Sequence, residues 1–472
     1  MARVGAKFWF YLILLPALLI VVGVSILAWR QTVPAVRAEI VPTPRYLGVK
    51  TPLTVQLRAE RGAVVSAELR LVQGQGRVVL ANQAFSGGGR EQKMDLTVDG
   101  RSTGLREGQA TLEVRARDDF WRPLRVDDRP VLTLPVTLDF TPPTLEVLAF
   151  TRYLAQGGVG LVAFRSKGAT RVGVNAGGLF FPAFPAGPQD SGVLVSLLAL
   201  SWDAPRGAGV SVLAQDEAGN AVSRALAAEI KPRRFPSDLI ELKEDFLRQK
   251  VGELLPEQAQ AQGDALVAAF LRVNRDQRKA AEQKKRELAT RTQPRPLWEG
   301  VFVQPHNTKV FSNFAETRTY RFAGREIDTQ VHLGYDLASV KHSPIPAANA
   351  GVVLYAAPLT IYGNTVVLDH GWGLMTLYAH LSSLAVKEGD TVTKGQELGR
   401  TGTTGLAVGD HLHYEVLVHG ISVTPLEWWD GRWIRDHIGK PLREANLPAT
   451  LAGPAPAADD DRAPARKSRR AR

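Results

Sequence analysis

The stretch His411-Leu412-His413-Tyr414-Glu415-Val416 reads as a strand. Positions i and i+2 of a strand share a face, so His411 and His413 address one site while Leu412 and Tyr414 turn to the other side. With nine histidines in 472 residues, chance supplies only about 0.2 His-x-His pairs per chain, so the pair carries information. Alone, it fits a surface pair as well as a metal or catalytic one. The surrounding residues, 298 to 433, hold further short strands between glycine turns, among them Gly351-Val352-Val353-Leu354 and Thr365-Val366-Val367-Leu368. An all-β domain is expected there.

Two more segments of this domain carry metal-competent side chains. In His332-Leu333-Gly334-Tyr335-Asp336, Gly334 argues against a regular helix and for a tight bend that brings His332 and Asp336 together. Tyr378-Ala379-His380-Leu381 places a histidine at the end of an apolar strand, where a buried, hydrogen-bonded ring is the default. The chain has no cysteine, which excludes disulfides, thiolate ligands and a cysteine nucleophile. A metal must then be held by His, Asp or Glu, and zinc catalysis needs three protein ligands with one position left for water.

In order and context these segments resemble the lysostaphin/LytM-type zinc metallopeptidases, which cut peptidoglycan peptides. The resemblance spans residues 298 to 430. It runs from His332-Leu333-Gly334-Tyr335-Asp336-Leu337-Ala338 through Pro346-Ala347-Ala348, Gly363-Asn364, Tyr378-Ala379-His380-Leu381 and Lys394-Gly395-Gln396, then through the Gly399 to Gly405 turn to His411–Val416. It implies a C-terminal all-β LytM-type (duplicated hybrid motif-like) peptidase domain, with a groove over one Zn2+ held by His332, Asp336 and His413. His380 and His411 are then the catalytic histidines beside it. One carboxylate and two neutral imidazoles leave zinc a net positive charge, which acidifies bound water and polarises a carbonyl. His411 is read as the general base and His380 as the group that stabilises the oxyanion or protonates the leaving amine; the sequence leaves that division open. The family often has Phe-Gly-x-Arg upstream of the first ligand, where this chain reads Phe314-Ala315-Glu316-Thr317-Arg318. Ala315 is therefore expected to alter the groove wall. His306, His342, His370, His419 and His437 match no ligand position and are read as structural, with a place behind the ligands as the alternative for His370, and Trp428, Trp429 and Trp433 are read as core closure.

Upstream, residues 8–29 contain no charged side chain, and a helix of that length spans about 33 Å, enough for a hydrocarbon core of about 30 Å. Arg3 and Lys7 precede it as in a signal peptide, but the apolar run is too long, and the small-residue site Val36-Arg37-Ala38 carries an arginine. A retained single-pass anchor is expected, with residues 1–7 cytoplasmic and the bulk of the chain in the periplasm or otherwise outside the cytoplasm. Period-two alternation comes next in Leu53, Val55, Leu57, Ala59, again in Ala110, Leu112, Val114, Ala116, and again in Val210, Val212, Ala214. Two β-sandwich (Ig-like) modules are expected, 40–141 and 142–231, joined near Pro142-Pro143. Past Pro236, Leu239, Leu242 and Phe246 share a helical face with Ser237 or Asp238 as N-cap, Pro256 and Gly263 interrupt, and the pattern fades into the charged stretch Arg275 to Arg291. Residues 236–292 are thus read as a helical connector to a peptidase domain at 298–435.

The formal charge of +11 is concentrated in part in residues 462–472, and residues 448–472 are expected to form a basic tail without fixed structure. No nucleic-acid motif accompanies the charge, so nucleic acid is not an expected partner. The expected partners are peptidoglycan, the membrane, and cell-envelope proteins through the β-sandwich modules. The reading is a zinc metalloendopeptidase of peptidoglycan. Its rivals are a non-catalytic family member that activates a separate cell-wall amidase, which would be expected to lose metal ligands, and a scaffold whose sandwiches carry the function.

Overall fold

The computed structural model describes residues 6–124, 129–188, 191–449 and 451. Residues 452–472 of the expected basic tail and most of the expected cytoplasmic N-terminus lie outside the described residues; at the start of that tail, Ala449 and Leu451 pack against the C-terminal core. The fold is mainly β, as the alternation predicts, and divides into two units, one running to Pro143 with Gln215–Ala221, the other comprising Thr144–Ala214 and the chain from Val222.

The first unit opens with helix Ala6–Thr32, in which Ile13–Thr32 is long and apolar enough to cross a membrane. Two sheets come after it. Strand Thr51–Ala59 lies between Val36–Val41 and Glu91–Val98, and Gly108–Asp118 pairs with both Val64–Gln73 and Leu132–Leu138. The alternating side chains Leu53, Val55 and Leu57 meet Leu69, Leu71, Leu112 and Val114 in one buried core. The sheet begins at Val36, ahead of the expected start, because Val36 and Ile40 continue the buried face.

In the second unit, strands Thr144–Phe150, Val159–Lys167, Val193–Ala199 and Phe184–Pro185 form one four-stranded sheet, and Leu179–Pro182, Arg171–Ala176, Val210–Gln215 and Ala221–Leu226 another. These sheets do not stand apart from the C-terminal part of the chain. Leu161, Phe164, Val195 and Val212 belong to the same buried core as Trp298, Tyr378, Tyr414 and Trp428. Trp428 is fully buried, edge-on to Trp298 at 5.4 Å, so it closes the core as expected. The helical tail continues beyond the expected end at 435, with Ile438 and Leu442 buried in that core.

Glu427 sits at this junction, 5% exposed, accepting hydrogen bonds from the Val159 N–H at 2.9 Å and Arg233 at 3.3 Å. Burial outweighs Arg233 and pushes its carboxyl from 4.5 up to about 7. A raised carboxyl pKa means that the folded state holds an extra proton, so this contribution to stability is full below about pH 4.5 and is lost as pH rises through about 7. Glu427→Gln removes the cost of ionising the buried group. Relative to the unaltered chain, its stability should shift upward by about 2.5 kcal/mol between pH 5 and pH 8, at 1.36 kcal/mol per pKa unit. Denaturant unfolding at the two pH values measures it; an equal difference at both would contradict the assignment.

The helical-connector expectation needs two corrections. Residues Ser237–Leu242 are a strand that pairs in parallel with Glu316–Phe322, so Leu239 and Leu242 do not share a helical face. Pairing with a sheet edge overrides the local spacing. The first helix is Glu244–Leu254, with Glu244 and Asp245 in its first turn, where negative charge suits the helix dipole. Pro256 and Gly263 do break it, and Gly263–Leu271 continues through a π-helical turn into Arg278–Ala289. Nor is the region a plain connector. Leu247, Val251, Phe270 and Leu288 share a buried core with Leu354 and Leu377 of the C-terminal sheet and with Ile361 and Tyr362 of the turn Thr360–Tyr362. That sheet runs Lys309–Ser312, Tyr335–Ala338, Leu412–Val418, Leu374–Leu381, Asn364–Gly371, Gly351–Pro358, Thr391–Val392.

Candidate active site

Strand register brings the candidate residues together. Asp336 on Tyr335–Ala338 lies directly opposite His413 on Leu412–Val418, and Ala379 on Leu374–Leu381 flanks His413 from the other side. His332 ends strand Arg325–His332, and the chain turns at Leu333-Gly334 into the Asp336 strand. A Cβ at Gly334 would stand 2.6 Å from the Tyr414 carbonyl and 2.8 Å from His413 Nε2. Glycine is required there by close approach. Leu412 and Tyr414 point into the core, leaving His411 and His413 on the site face as the period of two demands. His380 adopts φ +64°, a left-handed conformation unusual for a non-glycine residue and of the kind that clusters at functional sites.

Each of the four rings has one nitrogen committed to an acceptor. His332 Nδ1 donates to the Asn313 carbonyl (2.9 Å), His413 Nε2 to Glu415 (3.0 Å), His380 Nδ1 to the Thr404 carbonyl (2.8 Å) and His411 Nδ1 to the Gly409 carbonyl (2.7 Å). In the neutral rings the opposite nitrogens carry lone pairs. His332 Nε2, His413 Nδ1 and Asp336 Oδ1 form a triangle with 2.9 Å sides. Three electron-rich atoms this close suit a shared cation. A tetrahedral ion with bonds of about 2.0–2.1 Å would set its ligand atoms roughly 3.3 Å apart. The donor set therefore fits a divalent metal ion.

His380 and His411 stand beside the triangle with ring centroids 4.8 Å apart. His411 Nε2 is 3.4 Å from Asp336 Oδ1. Burial, with His411 and His413 as neighbours, holds His380 well below 6.5, so its ring is neutral near pH 7. Burial opposes ionisation of Asp336, but the imidazoles around it, His332 first and then His411 and His413, hold its carboxyl well below the usual range. These groups line a groove of 470 Å³ whose wall includes Leu239, Ile240, Phe311, Tyr320 and Val408. Phe311 and Val408 are 75% and 81% exposed. Apolar side chains on the rim of an open groove suit an extended ligand.

Sequence reasoning assigned no role to the groups behind the triangle. Arg318 donates to Asp336 Oδ2 at 2.7 Å. Glu415, two residues after His413 and so on the same strand face, accepts from His413 and also from Tyr362, Ser422 and Lys285. That period of two was the available signal for Glu415; Arg318, Tyr362 and Lys285 come from distant segments. One expectation is corrected. Ala315 is fully buried and does not line the groove; it holds φ +59° and donates its N–H to the His332 carbonyl at 2.7 Å, the conformation for which glycine is the ready residue. His370 spends its two nitrogens on the Ala350 carbonyl and the Thr376 hydroxyl, not on a ligand, in keeping with its structural reading.

Residues 330–425, which contain all five candidates, match the sequence profile of Peptidase family M23. This stretch is an M23 peptidase domain. Peptidoglycan DD-endopeptidase ShyA of Vibrio cholerae is 37% identical to this chain over 119 residues, covering 25% of this chain and 27% of that protein. DD-carboxypeptidase/endopeptidase Mpg of Neisseria meningitidis is 39% identical over 97 residues, covering 21% and 22%. Among solved structures, the catalytic domain of the antimicrobial peptidase lysostaphin from Staphylococcus simulans is 26% identical with a TM-score of 0.23, covering 26% of this chain and 92% of that one. The chain thus spans about a quarter of the length of the curated relatives it matches.

Proposed function

We propose that this chain is a membrane-anchored, zinc-dependent endopeptidase that hydrolyses peptide cross-links or stem peptides of peptidoglycan outside the cytoplasm. The observation that carries the reading is the 2.9 Å triangle of His332, Asp336 and His413 with two further imidazole lone pairs beside it. The names of the relatives support the substrate, and helix Ala6–Thr32 supports the anchor.

His332, Asp336 and His413 would hold the zinc ion, which when bound supplies Lewis acidity for a water and for the scissile carbonyl. His411 is the general base: Gly409 fixes its Nδ1–H, its Nε2 lone pair faces the site, and Asp336 Oδ1 lies 3.4 Å from the nitrogen that would gain the proton. His380 would stabilise the oxyanion or protonate the leaving amine: its Nδ1–H is held by the Thr404 carbonyl, so its Nε2 lone pair first takes up the proton that the attacking water loses and then offers it to the oxyanion or the amine. Arg318 holds the second oxygen of Asp336, leaving Oδ1 to the ligand triangle.

The bond expected to be cut is the D-alanyl–diaminopimelate cross-link. Purified cross-linked muropeptide dimers, incubated with the full chain in detergent and resolved by mass spectrometry, should become monomers. Dimers left intact by a zinc-loaded chain that instead stimulates a cell-wall amidase would establish the regulator in its place.

A further inference from the structure

The M23 domain does not contain the whole support of its ligands. Lys285 lies on helix Arg278–Ala289, outside residues 330–425, and its side chain is fully buried. Its Nζ is 2.6 Å from Glu282 Oε1, 2.9 Å from Glu415 Oε2 and 3.2 Å from both Tyr362 Oη and Ser422 Oγ. Glu415 is equally buried and accepts two hydrogen bonds at each oxygen. Oε1 receives His413 Nε2–H and the Tyr362 hydroxyl (2.6 Å); Oε2 receives Lys285 and the Ser422 hydroxyl (2.6 Å). Hydroxyls supply direction but no charge. A buried carboxylate needs a cation against it, and breaking such a pair from one side is costly. Lys285 brings that charge, and its burial is outweighed by Glu282 and Glu415, which hold it protonated.

We propose that Lys285 is a positioning residue of the metal centre, acting through Glu415 on His413. The line of force is short. Lys285 fixes Glu415, Glu415 holds the proton on His413 Nε2, and His413 Nδ1 then faces His332 and Asp336 with its lone pair. An acceptor on the second nitrogen of a metal-binding histidine sets its tautomer and ring orientation, and losing such a partner typically costs about 10–100-fold in metal affinity. The helical layer is therefore part of the catalytic machinery. This inference rests on the zinc-centre reading above.

The test uses the full chain in detergent, stripped of metal, with zinc affinity measured against a chelating indicator and the absorption spectrum recorded after Co2+ addition. Glu415→Gln should bind zinc about 10–100-fold more weakly, and Lys285→Met about 10-fold more weakly with an altered Co2+ spectrum. Adding Lys285→Met to Glu415→Gln should cost nothing further, because the lysine acts only through the carboxylate. That double variant also removes both buried charges, so the comparison survives if Lys285→Met alone fails to fold. Unchanged zinc affinity and Co2+ spectrum in Lys285→Met, with only a lowered melting temperature of the metal-free chain, would overturn the proposal, as would a further loss in the double variant. An unaltered chain that takes up no zinc would instead overturn the metal reading on which the inference stands.

Discussion

His411→Ala keeps its zinc and loses turnover by about 10²–10⁴-fold, the usual share of a general base. The separation follows from geometry. His411 Nε2 stands 3.4 Å from Asp336 Oδ1, outside the 2.9 Å triangle, and the ring hangs on the Gly409 carbonyl rather than on any ligand. Removing it leaves His332 fixed by Asn313, Asp336 by Arg318 and His413 by Glu415. The side chain is 14% exposed, so its loss opens the groove wall and leaves no sealed cavity. Metal analysis of the purified variant beside its kcat on muropeptide dimers makes the distinction. Loss of zinc together with activity would make His411 a ligand and displace the assignment of the three.

His332→Ala should do the reverse and lose the metal itself. Two protein ligands then remain from three, and the 2.9 Å triangle loses one of its corners. A zinc-binding free energy of about 10–16 kcal/mol shared among four ligands gives roughly 10²–10³-fold weaker binding per ligand lost. Activity should fall to background because no metal is held, and added zinc should restore it only in part. Equilibrium zinc titration reads the effect directly; near-normal zinc affinity would show that His332 is not a ligand.

The contrast between these two histidines shows what the sequence could carry. The His-x-His pair is local, and a period of two places both rings and Glu415 on one face whatever the rest of the chain does. Gly334 likewise signals a tight bend from one position, and the alternation of Leu53, Val55 and Leu57 survives because one face of that strand is buried. The failures are non-local. Ser237–Leu242 has spacing that suits a helix, yet it becomes a strand because the edge of Glu316–Phe322 offers backbone partners that only the assembled sheet provides. Lys285 looks like one more charge in a solvated stretch, and its partner Glu415 is 130 residues away. The shared core between the Thr144–Leu226 strands and the peptidase sheet is equally invisible, because each strand buries the same kind of face whether its neighbour is in its own module or another.

If His332, Asp336 and His413 hold a zinc ion that, with His380 and His411, cuts peptidoglycan peptides, then release of peptides from purified sacculi must depend on that metal. The measurement takes the full chain first stripped of metal and then supplied with one equivalent of zinc. The stripped chain should release nothing, and the zinc-restored chain should release peptides in proportion to metal bound. A chain that binds its equivalent of zinc and still releases no peptide would contradict the assignment.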